Sequence, residues 1–523
     1  MKRIVKKYLS LLLAVLMLVS SLAACGGNAG VDNGTTPTNA PEATKAAEAT
    51  KAPEATKAPE ATKAPDATAT PTPTPAPTLS PGEQLAVDYA GFVETPTDLG
   101  GRTIKFVTTI QKRYKLTNDD RDQTDNDTLA VVDALEMLEQ EYNCTIEIEQ
   151  LKAKALTSAL LTAKASGDTY CDILEFGCSD TYLEQIYSAN LCMPLEDERI
   201  ADIIKLDTNP WLPASKFGQM FGHQYGVHFK TNNSGDLLRG VILFNKDLVT
   251  KYNLGNMYEM VANKTWTFDK LMEMSASILT QSDGKVYPLL YSQEGLFIPM
   301  LVYANGGSVA DYVDNKYIFT GLSDNTLAAI NFAVDMKTKG YLHPSCEDRS
   351  NAETMFANGE AVFFVGNYAA LKKYTQGTIN CEYEIGLLPG PMGPNSTDKE
   401  YNAVSYTEAM FHVMNNVEEP EKVAALLVAF ANRTGKRDMI ETELMNTLQD
   451  MESADMLQLM YDNMKCDFSR SISITRGNCS GANKAIMNLE ATPKEKYEEI
   501  ATKCQDTFDN LKLAIENSLA EQQ

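Results

Sequence analysis

The chain has 523 residues, 44% of them hydrophobic, and a formal charge of -24. That length allows two or three domains with a sizeable core. The acidic balance excludes a nucleic-acid groove, which needs a clustered basic face, and fits the soluble surface of a secreted protein.

Residues 1–24 read as a targeting segment rather than as fold. Lys2, Arg3, Lys6 and Lys7 form a basic start, and Leu9 to Leu22 an apolar run too short for a comfortable membrane span. The run closes in Leu22-Ala23-Ala24-Cys25. This resembles the bacterial lipobox, in which small residues precede a cysteine that is lipidated and becomes the mature N-terminus. Cys25 is therefore the expected lipidation site and membrane anchor. Residues 25–99 carry that cysteine and a Pro/Thr/Ala-rich linker with KAPEAT near-repeats. Such a segment has too little apolar surface to offset the entropy of ordering. A Pro-rich tether of this length reaches on the order of 150 Å. A sugar-coated stalk gives the same architecture.

Ten cysteines are present, and removing Cys25 leaves an odd number. Complete internal pairing is excluded, and no CxxC or zinc-ribbon spacing occurs. They read as mostly free, buried thiols, with a disulfide or two also compatible.

Strands and helices alternate from Thr103 onward, which argues for a parallel, doubly wound α/β sheet. Thr103–Thr108 and Thr145–Glu149 read as strands, with a helix carrying Val131, Leu135, Leu138 and Tyr142 between them. The acidic stretch Asp119 to Asp127 fails the EF-hand pattern and reads as a helix-capping loop. Leu156 to Pro194 organises the chain. Leu156, Ala159, Leu160 and Ala163 recur at helical spacing, and Gly167 stops that helix. Tyr170–Phe176 reads as a buried strand. It ends in Gly177-Cys178-Ser179-Asp180, a polar turn that opens another helix. In an open α/β sheet ligands collect past the carboxyl ends of strands. His223 and His228 lack the HExxH context of a metal site. Thr267 reads as the N-cap of a helix with Leu271, Met274 and Ile278 on one face. Pro420 opens a helix, and Tyr497, Ile500, Cys504, Phe508, Leu511 and Ile515 mark a long amphipathic one that packs on a lobe.

An ordered series of these passages resembles extracellular solute-binding proteins of ABC importers, family 1, in the sugar-binding group. The series covers roughly Gly100 to Leu511. It comprises the organising stretch, Tyr225-Gly226, Leu243-Phe244-Asn245-Lys246, Thr265-Trp266, Gly306-Gly307, Phe356 to Phe364 running into Gly366-Asn367-Tyr368, and Ile385 to Pro391. Where the family commonly has Gly-x-Trp, this chain has Tyr368, a weaker stacking surface. The resemblance implies a two-lobe, periplasmic-binding-protein-like α/β fold (type II) with a hinge between the lobes. One lobe would comprise 100–240 plus 387–435, and the other 241–386 plus 436–523. Ile385 to Pro391 would be the return crossing, and Trp266 structural.

The implied mechanism is capture by hinge closure, with no catalysis and no cofactor or metal. Sugars present hydroxyls and apolar ring faces, so the site should combine aromatic platforms with polar side chains. The expected ligand residues are Thr109, Gln111, Ser179 and Asp180 at strand ends of the first lobe, and Asn367 and Tyr368 from the second. Tyr406 and Glu408, on a family ligand-facing turn, and Trp211, flanked by two prolines, complete the set. No basic cluster near these loops points to an anionic ligand. The expected partners are a small solute, carbohydrate by resemblance, and ABC permease subunits, with a monomer on the outer face of the cytoplasmic membrane. The competing readings are a binder of peptides or other polar solutes, a non-transport surface receptor, and a surface glycoside hydrolase using two carboxylates.

Overall fold

The computed structural model describes residues 96–109, 126–177, 183–206, 218–228, 238–344, 346, 349–396, 398–405, 409–434, 447–470 and 472–520. The strands in chain order are β1 (Arg102–Thr108), β2 (Cys144–Gln150), β3 (Ile173–Gly177), β4 (Gln219–Met220), β5 (His223–Gln224), β6 (Arg239–Asn245) and β7 (Tyr287–Tyr291). They continue with β8 (Ala310–Val313), β9 (Lys316–Phe319), β10 (Ala361–Asn367), β11 (Ile385–Leu388), β12 (Ala403–Ser405), β13 (Ala409–Val413) and β14 (Met464–Cys466).

The first lobe is built on a four-stranded sheet of order β13-β3-β1-β2. β1 runs parallel to β2 and β3, and β13 is antiparallel to β3. Both parallel connections contain a helix, Asn126–Glu141 and then Ala153–Ser166. The sheet divides two cores by strand periodicity. In β1, Ile104 and Phe106 face the core under the helices Asn126–Glu141 and Pro420–Thr434, while Val107 faces the other. In β3, Ile173 shares the first core, and Leu174 and Phe176 the second. The helix Ala153–Ser166 ends as its sequence implies. Gly167 takes a left-handed φ of 77°, which closes the last turn.

The second lobe is built on a six-stranded sheet of order β14-β12-β6-β10-β7, with β11 also paired to β6. The chain's return to the first lobe comes later than the sequence implies. Ile385–Leu388 pairs antiparallel with Ile242–Asn245, and β12 joins the same sheet through Val404 opposite Arg239. Residues 387–405 thus contribute strands to the second lobe's sheet, and the crossing falls between Ser405 and Ala409. Trp266 is fully buried, with Nε1 donating to the Pro389 carbonyl at 3.0 Å and its ring 5.6 Å from Phe363. Thr267 caps the helix Phe268–Ser282 by accepting from the Lys270 N–H at 3.2 Å.

The lobes also meet away from the crossings. Tyr317 Oη donates to the Gln219 carbonyl at 2.8 Å, and the Gly222 N–H donates to Tyr312 Oη at 2.5 Å. A cavity of about 210 Å³ opens there, lined by Glu196, Gln219, His223, Gln224, Tyr312 and Asn315. The C-terminal helix Pro493–Ala520 buries Tyr497, Cys504, Phe508, Leu511 and Ile515 and contacts both β9 and the first-lobe helix Leu183–Ser188.

Candidate ligand-binding site

Strand direction decides which ends of the two sheets can meet a ligand. In the first lobe the carboxyl ends of β1 and β3 lie together, with Thr108 opposite Glu175. The amino end of β13 joins them, Ala409 standing opposite Gly177. In the second lobe, β7 and β10 are parallel and end near Tyr291 and Asn367. Asn367 stands opposite Arg239, the first residue of β6, and Ser405 stands opposite Cys466 at the ends of β12 and β14. Arg239, Ser292, Asn367, Ser405 and Asp467 therefore share one edge. The two edges are held close by the chain itself. Four residue steps from Ser405 to Ala409 span at most about 14 Å.

The first-lobe edge presents a buried acid. Glu175 is fully buried, and its carboxylate accepts from Thr108 Oγ1 at 2.6 Å. Thr109 follows directly, half-buried, with its N–H donating to the Glu175 carbonyl at 3.1 Å.

The second-lobe edge is polar and carries guanidinium groups. The helix Glu294–Ala304 begins here, and its N-cap Gln293 makes no side-chain cap. Gly240, at φ +69°, lets this helix approach β6. A β-carbon there would lie 2.7 Å from the Leu296 carbonyl oxygen. Arg470 reaches the same helix start, since a β-carbon on Gly295 would lie 3.4 Å from its Nη1. Arg470 belongs to a short 3-10 turn, Phe468–Arg470, that follows β14. Beside it, the buried Asp467 accepts from Ser469 N at 3.1 Å and Ser469 Oγ at 2.6 Å. Burial pushes the Asp467 carboxyl up, against the pull of Ser469 and Arg470. Asn367 Oδ1 and Ser405 Oγ are among the polar atoms buried at this edge without a hydrogen-bond partner among the described residues. Asn367 is the N-cap of the helix Tyr368–Thr375, yet its side chain does not cap it. A buried polar atom without a partner carries a desolvation cost that a bound hydroxyl or amide relieves.

Of the sequence-derived residues, Thr109 and Asn367 lie at these two edges. Tyr368 does not offer a stacking face in this conformation. It is fully buried, because the chain turns at Asn367 and sends the first helical side chain into the core. Gln111, Ser179, Asp180, Trp211, Tyr406 and Glu408 lie outside the described residues, as does Cys25. Sequence reasoning missed Glu175, Arg239, Ser405 and Arg470. Glu175 was the most accessible of these, as a lone carboxylate inside an apolar strand run. The two arginines are far apart in the chain, and only sheet pairing brings both to the edge. The sequence reading found no basic cluster near the candidate loops, and these arginines lie outside those loops.

The architecture is a two-lobe α/β one, and comparison with known proteins agrees. The sequence pattern of the bacterial extracellular solute-binding proteins matches residues 133–457, and the chain belongs to that family. No curated protein sequence matches it. Solved structures share the fold. A cyclo/maltodextrin-binding protein complexed with maltotetraose aligns with a TM-score of 0.55 at 14% identity, over 77% of this chain and 96% of that one. The galacto-N-biose/lacto-N-biose I-binding protein of the ABC transporter from Bifidobacterium longum, in complex with lacto-N-biose, aligns at 0.55 and 14%, over 79% and 98%. UgpB from Mycobacterium tuberculosis, in complex with glycerophosphocholine, aligns at 0.52 and 16%, over 79% and 99%. The fold is thus the two-lobe, periplasmic-binding-protein-like one.

Proposed function

We propose that the chain is the membrane-anchored, extracellular solute-binding component of an ABC importer. It captures a sugar or oligosaccharide between its lobes by hinge closure and delivers it to the permease. One observation carries the reading. Two sheet edges are tied by a four-step crossing, and the second carries polar atoms left unpartnered among the described residues (Asn367 Oδ1 and Ser405 Oγ). Hydroxyl-rich ligands fit such a lining, because each hydroxyl both donates and accepts. Fold neighbours that hold maltotetraose and lacto-N-biose support the carbohydrate class. The basic, apolar start closing in a lipobox-like Ala24-Cys25 supports the anchor, and the long linker supports a domain held off the membrane. Binding then requires no catalytic step.

A second reading, a polar solute bearing negative charge, is favoured by Arg239 and Arg470 at the edge. A fold neighbour that holds glycerophosphocholine is consistent with it.

Calorimetric titration of Asn367→Ala separates site from scaffold. Because the Asn367 side chain caps nothing, the variant should keep the wild-type melting temperature. Its affinity for the ligand should fall about tenfold, the loss of one hydrogen bond of roughly 1.4 kcal/mol. Unchanged affinity would remove Asn367 from the site. Titrating oligosaccharides beside glycerophosphodiesters and peptides decides between the two ligand classes.

A further inference from the structure

The last two helices bring together two thiols that ligand capture does not use. Ser473–Met487 and Pro493–Ala520 form a helical hairpin joined by residues 488–492. Side chains fix its antiparallel register. Tyr497 Oη donates to Asn483 Oδ1 at 2.9 Å, and Lys503 Nζ to Asn478 Oδ1 at 3.2 Å. The same register sets Cys479 against Cys504, and Asn478 Nδ2 reaches Cys504 Sγ at 3.9 Å. Both cysteines are buried and unbridged.

We propose that Cys479 and Cys504 form a disulfide, closed by exchange with a small-molecule disulfide. The family is extracellular, and disulfides persist in oxidising compartments. The Cys504 thiolate attacks one sulfur of the small disulfide and expels a thiolate, leaving a mixed disulfide on Cys504. Cys479 then loses its proton and attacks the Cys504 sulfur, releasing the second small thiolate. The protein gives up two electrons and two protons, and the small disulfide becomes two thiols. The two thiols can exchange these roles, since opening of the hairpin frees both.

Burial means that exchange runs while the hairpin is open, before docking or during local unfolding. The sequence eases that opening. Gly477 and Gly481 flank Cys479 with open space at their β-carbon positions, and glycine is a poor helix former. Once closed, the bond pins a helix that touches both lobes.

The test equilibrates the full mature chain in glutathione buffers of increasing oxidised fraction. Samples are quenched in acid, denatured, alkylated with N-ethylmaleimide and digested for mass spectrometry. The expected result is a loss of two alkylated thiols with a peptide linking Cys479 to Cys504. Cys479→Ser and Cys504→Ser should each abolish that link and leave the remaining cysteine alkylated or carrying glutathione. Alkylation of both cysteines in the wild type at the most oxidising ratio would overturn the proposal, as would bonding of either to another cysteine. Ligand affinity measured on the reduced chain is independent of either outcome.

Discussion

Trp266→Ala should destabilise the second lobe by about 4 kcal/mol, the cost of emptying a large aromatic site in a packed core. Trp266 is fully buried, and the strands it packs on cannot collapse into the space. Its ring lies against Phe363 of β10, while its backbone carbonyl accepts from the Met392 N–H at 3.0 Å. The substitution also strips the Pro389 carbonyl of its indole donor, a further unsatisfied group. Urea unfolding should show the second-lobe midpoint moved far down with the slope unchanged. A shift of less than about 1 kcal/mol would mean that this indole does not anchor the segment between β11 and β12 to the sheet.

Acid should weaken the first lobe through His412. The ring is fully buried on β13, with Nδ1 3.2 Å from the Leu174 carbonyl and Nε2 2.8 Å from Tyr187 Oη. A carbonyl only accepts, so Nδ1 carries the proton and Nε2 accepts from the tyrosine. That arrangement has no place for a second proton, and burial lowers the imidazole to about 4. The unfolded chain takes up its proton near pH 6.5, whereas the folded chain resists until about 4. The unfolded state thus binds more protons across that window. Stability from this group is complete above pH 6.5 and falls as the pH drops toward 4, by about 3 kcal/mol in all. His412→Gln keeps an acceptor for Tyr187 and cannot titrate. Denaturation at several pH values should show a first-lobe slope between pH 4 and 6.5 in the wild type that is much flatter in the variant. Equal slopes would assign the acid sensitivity to other groups.

Local signals in the sequence were dependable where local physics decides structure. Gly167 ends its helix because the left-handed turn favours glycine, and Thr267 caps because its hydroxyl can reach a free N–H. The stripe from Tyr497 to Ile515 is the buried face of the C-terminal helix, Ile500 being half-buried. Long-range placement was less legible. Ile385–Leu388 has the apolar composition of a strand in either lobe, and only its pairing with β6 assigns it to the second. Tyr368 shows the same limit at the site. Its proximity to a strand end was readable, but the direction of its ring depends on the helix that begins there. Glu175 reaches the first-lobe edge, and Arg239, Ser405 and Arg470 the second, through strand register and direction, which a single sequence does not encode as a pattern.

Incubating the mature chain with a panel of oligosaccharides, then recording both its melting temperature and the integrity of each sugar, tests capture most directly. A ligand that binds only the folded state raises the melting temperature by mass action, by about 2.7 kcal/mol of stability at a hundredfold excess over Kd. The account predicts such a rise for at least one oligosaccharide, which is recovered intact at one molecule per chain. Cleavage of a sugar, or no rise with any of them, would contradict it.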